Sequence, residues 1–268
     1  MAEKNVTDLP SAIANSKEII GRLLHQQPVF FMDYDGTLTP IVSKPEDAIL
    51  SDEMRQTLRK LASHYKVAIV SGRDRQDVQN LVSIDNLIYA GSHGFDIVGP
   101  DNLYLQHQKG KAALPELDDA ERKLQQLLSS IKGSQVERKK YSIAVHFRNV
   151  GQKDLAFIEQ VVDKVLQHHH KLRKSFGKKI YELQPDIEWD KGKAVLWLLK
   201  RLKLYEDHYL PVYVGDDLTD ENAFRALEDI GIGILVGQHG KPTCADYHLK
   251  DVAEVEKFLE MVIKESER

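Results

Sequence analysis

The sequence predicts an α/β protein: a Rossmann-like, doubly wound parallel sheet core with an inserted α+β cap domain. Short apolar runs end abruptly in acids or a hydroxyl. Val29–Met32 leads into Asp33 and Asp35, Lys66–Val70 into Ser71, and Pro211–Gly215 into Asp216 and Asp217. Runs of this length suit strands buried on both faces, and ligands of open α/β sheets bind at the carboxyl ends of such strands. Segments with helical spacing alternate with these runs, which is the pattern of a parallel sheet. Within residues 109–185 the alternation gives way to helix, strand, strand, helix, strand, and this change marks the insert.

Along the chain, Ile13, Ile19, Ile20, Leu23 and Leu24 recur at helical spacing over 11–25, ahead of the first strand. Ser51 caps a helix running to His64, with Asp52 and Glu53 suited to its positive end and Met54, Leu58 and Leu61 on its apolar side. The strand over 66–70 passes through Ser71-Gly72-Arg73 into a helix ending near Val82. Leu87–Ala90 is a third strand, followed by Gly91-Ser92-His93-Gly94 and a hairpin of Phe95–Val98 and Leu103–Leu105. The insert begins with a helix over 114–131 and continues with strands over 135–140 and 141–148, a helix over 153–170 and a strand over 178–183. The main pattern resumes with a helix over 190–202, strands over 211–215 and 231–236, and a closing helix over 252–263. These boundaries give a core of residues 1–108 and 186–268 and an inserted domain of residues 109–185.

Composition narrows the function classes. A formal net charge of −4 provides no global attraction to nucleic acid or to an anionic membrane. No apolar run approaches the roughly 20 residues that a bilayer demands, and residues 1–16 lack the basic start and apolar core of a secretory signal. The single cysteine, Cys244, permits no internal disulfide and fits a reducing, cytoplasmic setting. His168-His169-His170 ends a helix among lysines and reads as a solvated terminus rather than a metal site.

The chemistry sits at the strand ends. Asp33 and Asp35 repel one another unless a cation or a proton intervenes. A divalent metal is the economical remedy, and hard oxygen donors favour Mg²⁺. Gly36 lets the chain turn sharply just after these acids. A calcium loop opens with the same Asp-x-Asp-Gly pattern but requires a Glu at its twelfth position, where this chain has Lys44. Ser71-Gly72-Arg73 at a strand-to-helix junction offers a hydroxyl, backbone N–H groups and a helix dipole to a phosphate, although a capped helix explains the same residues. Lys191 at a helix start and Asp216 and Asp217 at another strand end complete the parts that phosphoryl transfer needs. These are acids for a metal, a carboxylate nucleophile, and a hydroxyl and an ammonium for the phosphoryl oxygens.

In order and spacing, Asp33-Tyr34-Asp35-Gly36-Thr37, Ser71, Lys191-Gly192-Lys193-Ala194 and Gly215-Asp216-Asp217-Leu218-Thr219-Asp220 resemble the motifs of the haloacid dehalogenase superfamily of phosphatases. The resemblance implies Asp33 as nucleophile, Asp35 as acid and then base, and Lys191 as the bridge between nucleophile and phosphate. It implies Mg²⁺ on Asp33, the Asp35 carbonyl and Asp216, with Asp217 and Asp220 in support. Phosphate contacts are implied for Thr37, Ser71, Gly72, Arg73 and Lys191.

A narrower set is similar to the trehalose-6-phosphate phosphatase family: Asp33–Ile41, Ser71-Gly72-Arg73, Gly91–Gly94, Gly215–Glu221 and, in the insert, Glu137, Lys139, Ser142, His146-Phe147-Arg148, Lys178 and Glu182. Phe147 stands where that family carries Tyr. The resemblance implies hydrolysis of trehalose 6-phosphate through an aspartyl phosphate, as the last step of trehalose biosynthesis. The insert would then be a cap whose Glu137, Lys139, His146, Arg148, Lys178 and Glu182 hold the sugar. Charged groups suit a disaccharide because an analogue that leaves them unpaired is rejected; taken alone, alternating charges on a strand equally describe a solvated sheet face. Trehalose-6-phosphate synthase is the partner that the resemblance suggests. Two alternatives stay open: a phosphatase for sucrose phosphate or glucosyl-glycerol phosphate, and a catalytically silent partner of a sugar-phosphate synthase. Intact Asp33, Asp35, Lys191 and Asp216 speak against silence.

Overall fold

The structure is a computed structural model that describes residues 3–177, 179–205 and 208–268. In chain order the elements are α1 (Ser16–His25), β1 (Gln27–Met32), α2 (Asp52–His64), β2 (Lys66–Val70), α3 (Arg75–Val82), β3 (Ile88–Gly91), β4 (Asp96–Gly99) and β5 (Leu103–Gln106). There follow α4 (Gln108–Leu128), β6 (Gln135–Lys139), β7 (Ser142–His146), α5 (Leu155–Leu166), β8 (Leu172–Gly177) and β9 (Ile180–Pro185). The chain closes with α6 (Lys191–Arg201), β10 (Tyr209–Gly215), α7 (Glu221–Leu227), β11 (Ile232–Val236), β12 (Tyr247–Leu249) and α8 (Val252–Ser266). It divides into two units, Met1–Tyr104 with Trp189–Arg268, and Leu105–Glu188.

The larger unit is built on a sheet with strand order β12-β11-β10-β1-β2-β3-β4-β5. Strands β12 through β3 pair in parallel, and β3 pairs with β4 in antiparallel fashion. Every residue of β1 except Gln27 is buried, as an apolar run in the middle of a parallel sheet must be. One face carries α1, α2 and α8. Leu23, Met54, Leu58, Leu61, Phe258 and Val262 join Phe30, Met32, Ile69, Val212, Val214 and Ile234 in one apolar cluster. Hydroxyl or carboxylate caps start α2, α6 and α8: Ser51 Oγ accepts from Met54 N at 3.1 Å, Asp190 Oδ1 from Lys193 N at 2.8 Å, and Asp251 Oδ1 from Glu254 N at 3.1 Å.

From β1 the chain proceeds to β2 on one side, and β10 later joins it on the other. The reversal of strand order opens a crevice at the carboxyl ends of β1 and β10. Asp33 N donates to Val214 O at 2.9 Å and Ser71 N to Ala90 O at 2.9 Å. The residues just past the strands are therefore still held by the ladder, and their side chains are delivered to the sheet edge on rigid backbone.

The smaller unit is an antiparallel sheet of order β6-β7-β9-β8. Leu117 and Leu124 of α4 and Ile158 and Val162 of α5 cluster with Ile143, Val145 and Leu183 on one face. The period of two then assigns the alternate residues to the other face. Register places Glu137 opposite Ala144 and Ala144 opposite Glu182, with Lys139 opposite Ser142 and Gln135 opposite His146.

Several elements depart from the sequence expectation. Strand β8 was not expected, because Lys174 interrupts its apolar alternation. The Lys174 ammonium lies over the rings of Phe176 at 5.2 Å and Tyr181 at 5.1 Å, and it pairs with Asp163 and Glu159 of α5. Helix α4 begins at Gln108 and runs through Pro115, whereas the expected helix began at Leu114. Helix α5 ends at Leu166, short of the expected 170, and α1 begins at Ser16 rather than 11. The short α7 and β12 had no sequence signal of sufficient length. Among the described residues no helix is long and apolar enough to cross a membrane.

Helices α6 and α7 approach closely at Gly192, where a methyl group would overlap the Asn222 carbonyl. Gly192→Ala is therefore expected to lower stability by about 1–3 kcal/mol, the usual cost of overpacking. Denaturant unfolding monitored by circular dichroism checks this, and an unchanged midpoint would contradict the tight α6–α7 contact.

Candidate active site

Three strand ends and one helix start converge at the carboxyl edge of the larger sheet. Lys191, the first residue of α6, is 2% exposed and directs its ammonium between two carboxylates. Lys191 Nζ donates to Asp33 Oδ1 at 2.9 Å and to Asp220 Oδ1 at 2.7 Å. Asp220 is saturated: its Oδ1 also accepts from Tyr213 Oη at 2.6 Å, and its Oδ2 accepts from the backbone N–H groups of Asp216 and Asp217, each at 3.0 Å. Asp217 Oδ1 accepts from Thr219 N at 2.7 Å and Thr219 Oγ1 at 2.6 Å, so this acid braces its own turn.

The Asp216 carboxylate, in contrast, accepts no hydrogen bond in the arrangement of the described residues that surrounds it. It packs against Gly36, whose φ is +82° and where a methyl group would overlap the carboxylate. Asp33, Asp216 and Asp220 bring ligand oxygens within 4.8 Å of one another. Since both oxygens of Asp220 are committed, the donors left for a cation are Asp33 and Asp216.

The charges support the same division. Asp33, Asp216, Asp217 and Asp220 surround a single ammonium. Burial opposes the charge of Lys191, but Asp220 and Asp33 overcome it and hold the ammonium charged. Burial pushes Asp33 well above the usual carboxylate range, with Lys191 opposing and the three other acids adding to the rise. Asp216 rises to about 7, through burial and then the charges of Asp220 and Asp217. Asp217 falls, because Lys191 and the Thr219 hydrogen bonds outweigh its burial. With its acids ionised, the cluster would carry more negative charge than its own lysine balances. A hard divalent cation fits both the surplus and the oxygen donor set.

Ser71 is 1% exposed, and its Oγ accepts from Arg73 N at 3.1 Å across the turn after β2. Gly72 lies under the His93 ring, where a methyl group would sit 2.9 Å from Cε1. Thr37 is wholly buried, and its Oγ1 has no hydrogen-bond partner among the described residues. The Arg73 guanidinium is engaged by Asp35, Asp77 and the Pro45 carbonyl instead of standing free.

In the smaller unit, Glu137, Lys139, His146 and Glu182 share the sheet face opposite the helices. His146 Nε2 lies 2.7 Å from Glu137 Oε2, and Ser142 Oγ donates to Glu182 Oε1 at 2.7 Å. Arg148 is exposed just beyond β7, and Lys178 lies outside the described residues. Tyr213 belongs to the core cluster although it was not among the expected site residues. A tyrosine inside an otherwise aliphatic strand was the available signal, since a buried hydroxyl needs a partner.

Asp220→Asn would exchange one accepting oxygen for an amide that faces two backbone donors. Stability is expected to fall by about 3–5 kcal/mol, as when one partner of a buried ion pair is removed. A denaturation midpoint equal to the parent's would show that Asp220 does not organise the site.

A family model described as trehalose-phosphatase matches residues 31–253. The trehalose 6-phosphate phosphatase RA3 of Zea mays is 42% identical over 265 residues, spanning 93% of this chain and 73% of that protein. A crystal structure of Aspergillus fumigatus trehalose-6-phosphate phosphatase superposes with a TM-score of 0.69 at 27% identity, covering 96% of this chain and 99% of the other. A haloacid dehalogenase-like hydrolase from Bacteroides thetaiotaomicron, at 16% identity, shares the fold with a TM-score of 0.63 over 88% of this chain and 99% of its own.

Proposed function

The chain belongs to the trehalose-phosphatase family, and from this premise we infer that it hydrolyses trehalose 6-phosphate to trehalose and phosphate, the last step of trehalose biosynthesis. The observation that carries the mechanism is the Lys191 clamp on Asp33. It fixes one carboxylate oxygen at the sheet edge and leaves the other to attack phosphorus. Asp35 hands a proton to the departing sugar oxygen, then takes one from the water that hydrolyses the phosphoryl-aspartate on Asp33. Ser71 and the Gly72 backbone hold phosphoryl oxygens at the turn after β2, and the Lys191 ammonium offsets their charge. Mg²⁺ would be held by Asp33, Asp216 and the Asp35 carbonyl, and when bound it would supply charge neutralisation at the transferring phosphoryl group.

We assign the chemistry to the core unit and the sugar to the polar sheet face of the inserted unit, the cap. Glu137, Lys139, His146 and Glu182 supply donors and acceptors there, joined by Arg148 and Lys178 in the proposed set. The Glu137–His146 and Ser142–Glu182 hydrogen bonds restrain both carboxylates, which reduces the ordering cost of gripping hydroxyls. The lone Cys244 fits a cytoplasmic reaction. Association with trehalose-6-phosphate synthase, the source of this substrate, is the partner reading that follows from the family.

Phosphate release from trehalose 6-phosphate, sucrose 6-phosphate, glucose 6-phosphate and glucosyl-glycerol phosphate, with and without Mg²⁺, tests the assignment. Mg²⁺-dependent preference for trehalose 6-phosphate is expected; preference for another member would overturn the sugar assignment and keep the core chemistry. Glu137→Ala is expected to reduce kcat/KM for trehalose 6-phosphate by at least about tenfold while sparing a small aryl phosphate. Equal losses on both substrates would remove the sugar role of that face.

Metal binding carries a pH signature. Asp216 titrates near 7 in the metal-free protein, well above its unfolded value, so the folded state holds this proton more tightly. The contribution of Asp216 to stability is present at low pH and is lost as pH rises through about 7. Mg²⁺ must displace the proton at low pH but meets an ionised, repelled carboxylate at high pH. The rise in thermal midpoint on adding Mg²⁺ is expected to be larger at pH 8 than at pH 6, and an equal rise at both would contradict Asp216 as a ligand.

A further inference from the structure

The Arg73 side chain is bound to the acid–base residue in a geometry that leaves little for a phosphate. Arg73 Nε donates to Asp35 Oδ2 at 2.7 Å and Nη2 to Asp35 Oδ1 at 2.7 Å, a bidentate fork that fixes the plane of the carboxylate. Nη1 donates to Asp77 Oδ2 at 3.0 Å, and Nη2 donates again to the Pro45 carbonyl at 2.8 Å. The guanidinium lies over the Tyr34 ring, 5.4 Å from its centroid. An arginine has five N–H donors, and these contacts occupy all but one. Chelating a phosphate would require Arg73 to release Asp35.

The backbone of Arg73 is fixed as well, because its N–H donates to Ser71 Oγ. The arginine therefore leaves the phosphate-side turn from a set position and reaches across to the strand end that carries Asp33 and Asp35. Asp33 is held from its other side by Lys191. Two residues along the chain, Asp35 has a carboxylate whose orientation is free to turn about its own side-chain bonds, and Arg73 is the group that sets it.

We propose that Arg73 is the positioning residue of Asp35, orienting the carboxyl toward the leaving oxygen, and is not a ligand of the phosphate. The inference rests on the phosphatase reading above. In the first step the bond from phosphorus to Asp33 forms while the bond to the sugar oxygen breaks. That oxygen departs with the electron pair and takes the proton from Asp35. A 4-nitrophenolate departs without a proton, so its loss does not depend on how Asp35 is aimed. Arg73 accordingly matters for sugar phosphates and much less for an activated aryl phosphate. Asp77, at the first turn of α3, acts one step further back by holding the far side of the guanidinium.

The test compares kcat/KM, which reports the chain of steps through departure of the alcohol, for trehalose 6-phosphate and 4-nitrophenyl phosphate in Arg73→Met and Asp77→Ala. For Arg73→Met a fall of about a hundredfold is expected on the sugar phosphate, the scale of losing a general acid, with less than about fivefold on the aryl phosphate. The constant for competitive inhibition by inorganic phosphate is expected to stay within about twofold. Asp77→Ala, which leaves the Asp35 fork in place, is expected to show the same selectivity at about a tenth of the size. It serves as the readout where Arg73→Met does not fold. Equal losses on both substrates with weakened phosphate inhibition would make Arg73 a phosphate ligand and overturn the proposal, as would an Asp77→Ala enzyme that matches the parent on both substrates. A parent enzyme that hydrolyses neither substrate would refute the phosphatase reading itself, an outcome distinct from either.

Discussion

One buried ammonium holds the core unit's chemistry together. Lys191 joins the end of β1 through Asp33 to the loop after β10 through Asp220, and it does so from the first residue of α6. Burying that charge is unfavourable unless carboxylates and hydrogen bonds offset it. Asp220 meets the requirement by taking Lys191 and Tyr213 on one oxygen and two backbone N–H groups on the other. The arrangement fixes the backbone of Asp216 and Asp217 and leaves Asp216's carboxylate uncommitted beside Gly36. Hydrogen bonds thus distinguish the acids: Asp220 is saturated, whereas Asp216 accepts none among the described residues.

The smaller unit applies a different rule to a similar end. Its antiparallel sheet has one face against α4 and α5, and the strict alternation of strands sends the remaining side chains to the opposite face. Glu137 and Glu182 flank Ala144 there, each restrained by a neighbour on the same sheet, His146 and Ser142. In the proposed reaction the inserted unit contributes selectivity, while the strand ends of the larger unit contribute the chemistry.

The strand ends were legible in the sequence because a buried parallel strand reads as an apolar run, and an acid at its end is conspicuous. Motif order then identified Asp33, Asp35, Ser71, Lys191 and Asp216 as one set. Pairings were not legible. Lys191 and Asp33 are 158 residues apart, and no local pattern reveals that one ammonium serves two acids. Arg73 shows the limit most clearly: spacing located its Cα in the turn after β2, but a long side chain carries its charge to Asp35 and Asp77. For Thr37, its place in a motif did not reveal that its side chain is wholly buried. Strand β8 escaped because Lys174 interrupts its apolar alternation with a charge, and α7 and β12 because they are too short to show a period.

The measurement that tests the central claim most directly is capture of the phosphoryl group on the protein. Asp35→Asn keeps the Asp33–Lys191 clamp but removes the base for the second step. Mixed with Mg²⁺ and 4-nitrophenyl phosphate and then quenched in acid, it is expected to gain the mass of one phosphoryl group, with peptide mapping locating it on Asp33. An unmodified protein that still releases 4-nitrophenol in a full burst, or a phosphoryl group on another residue, would contradict Asp33 as the nucleophile.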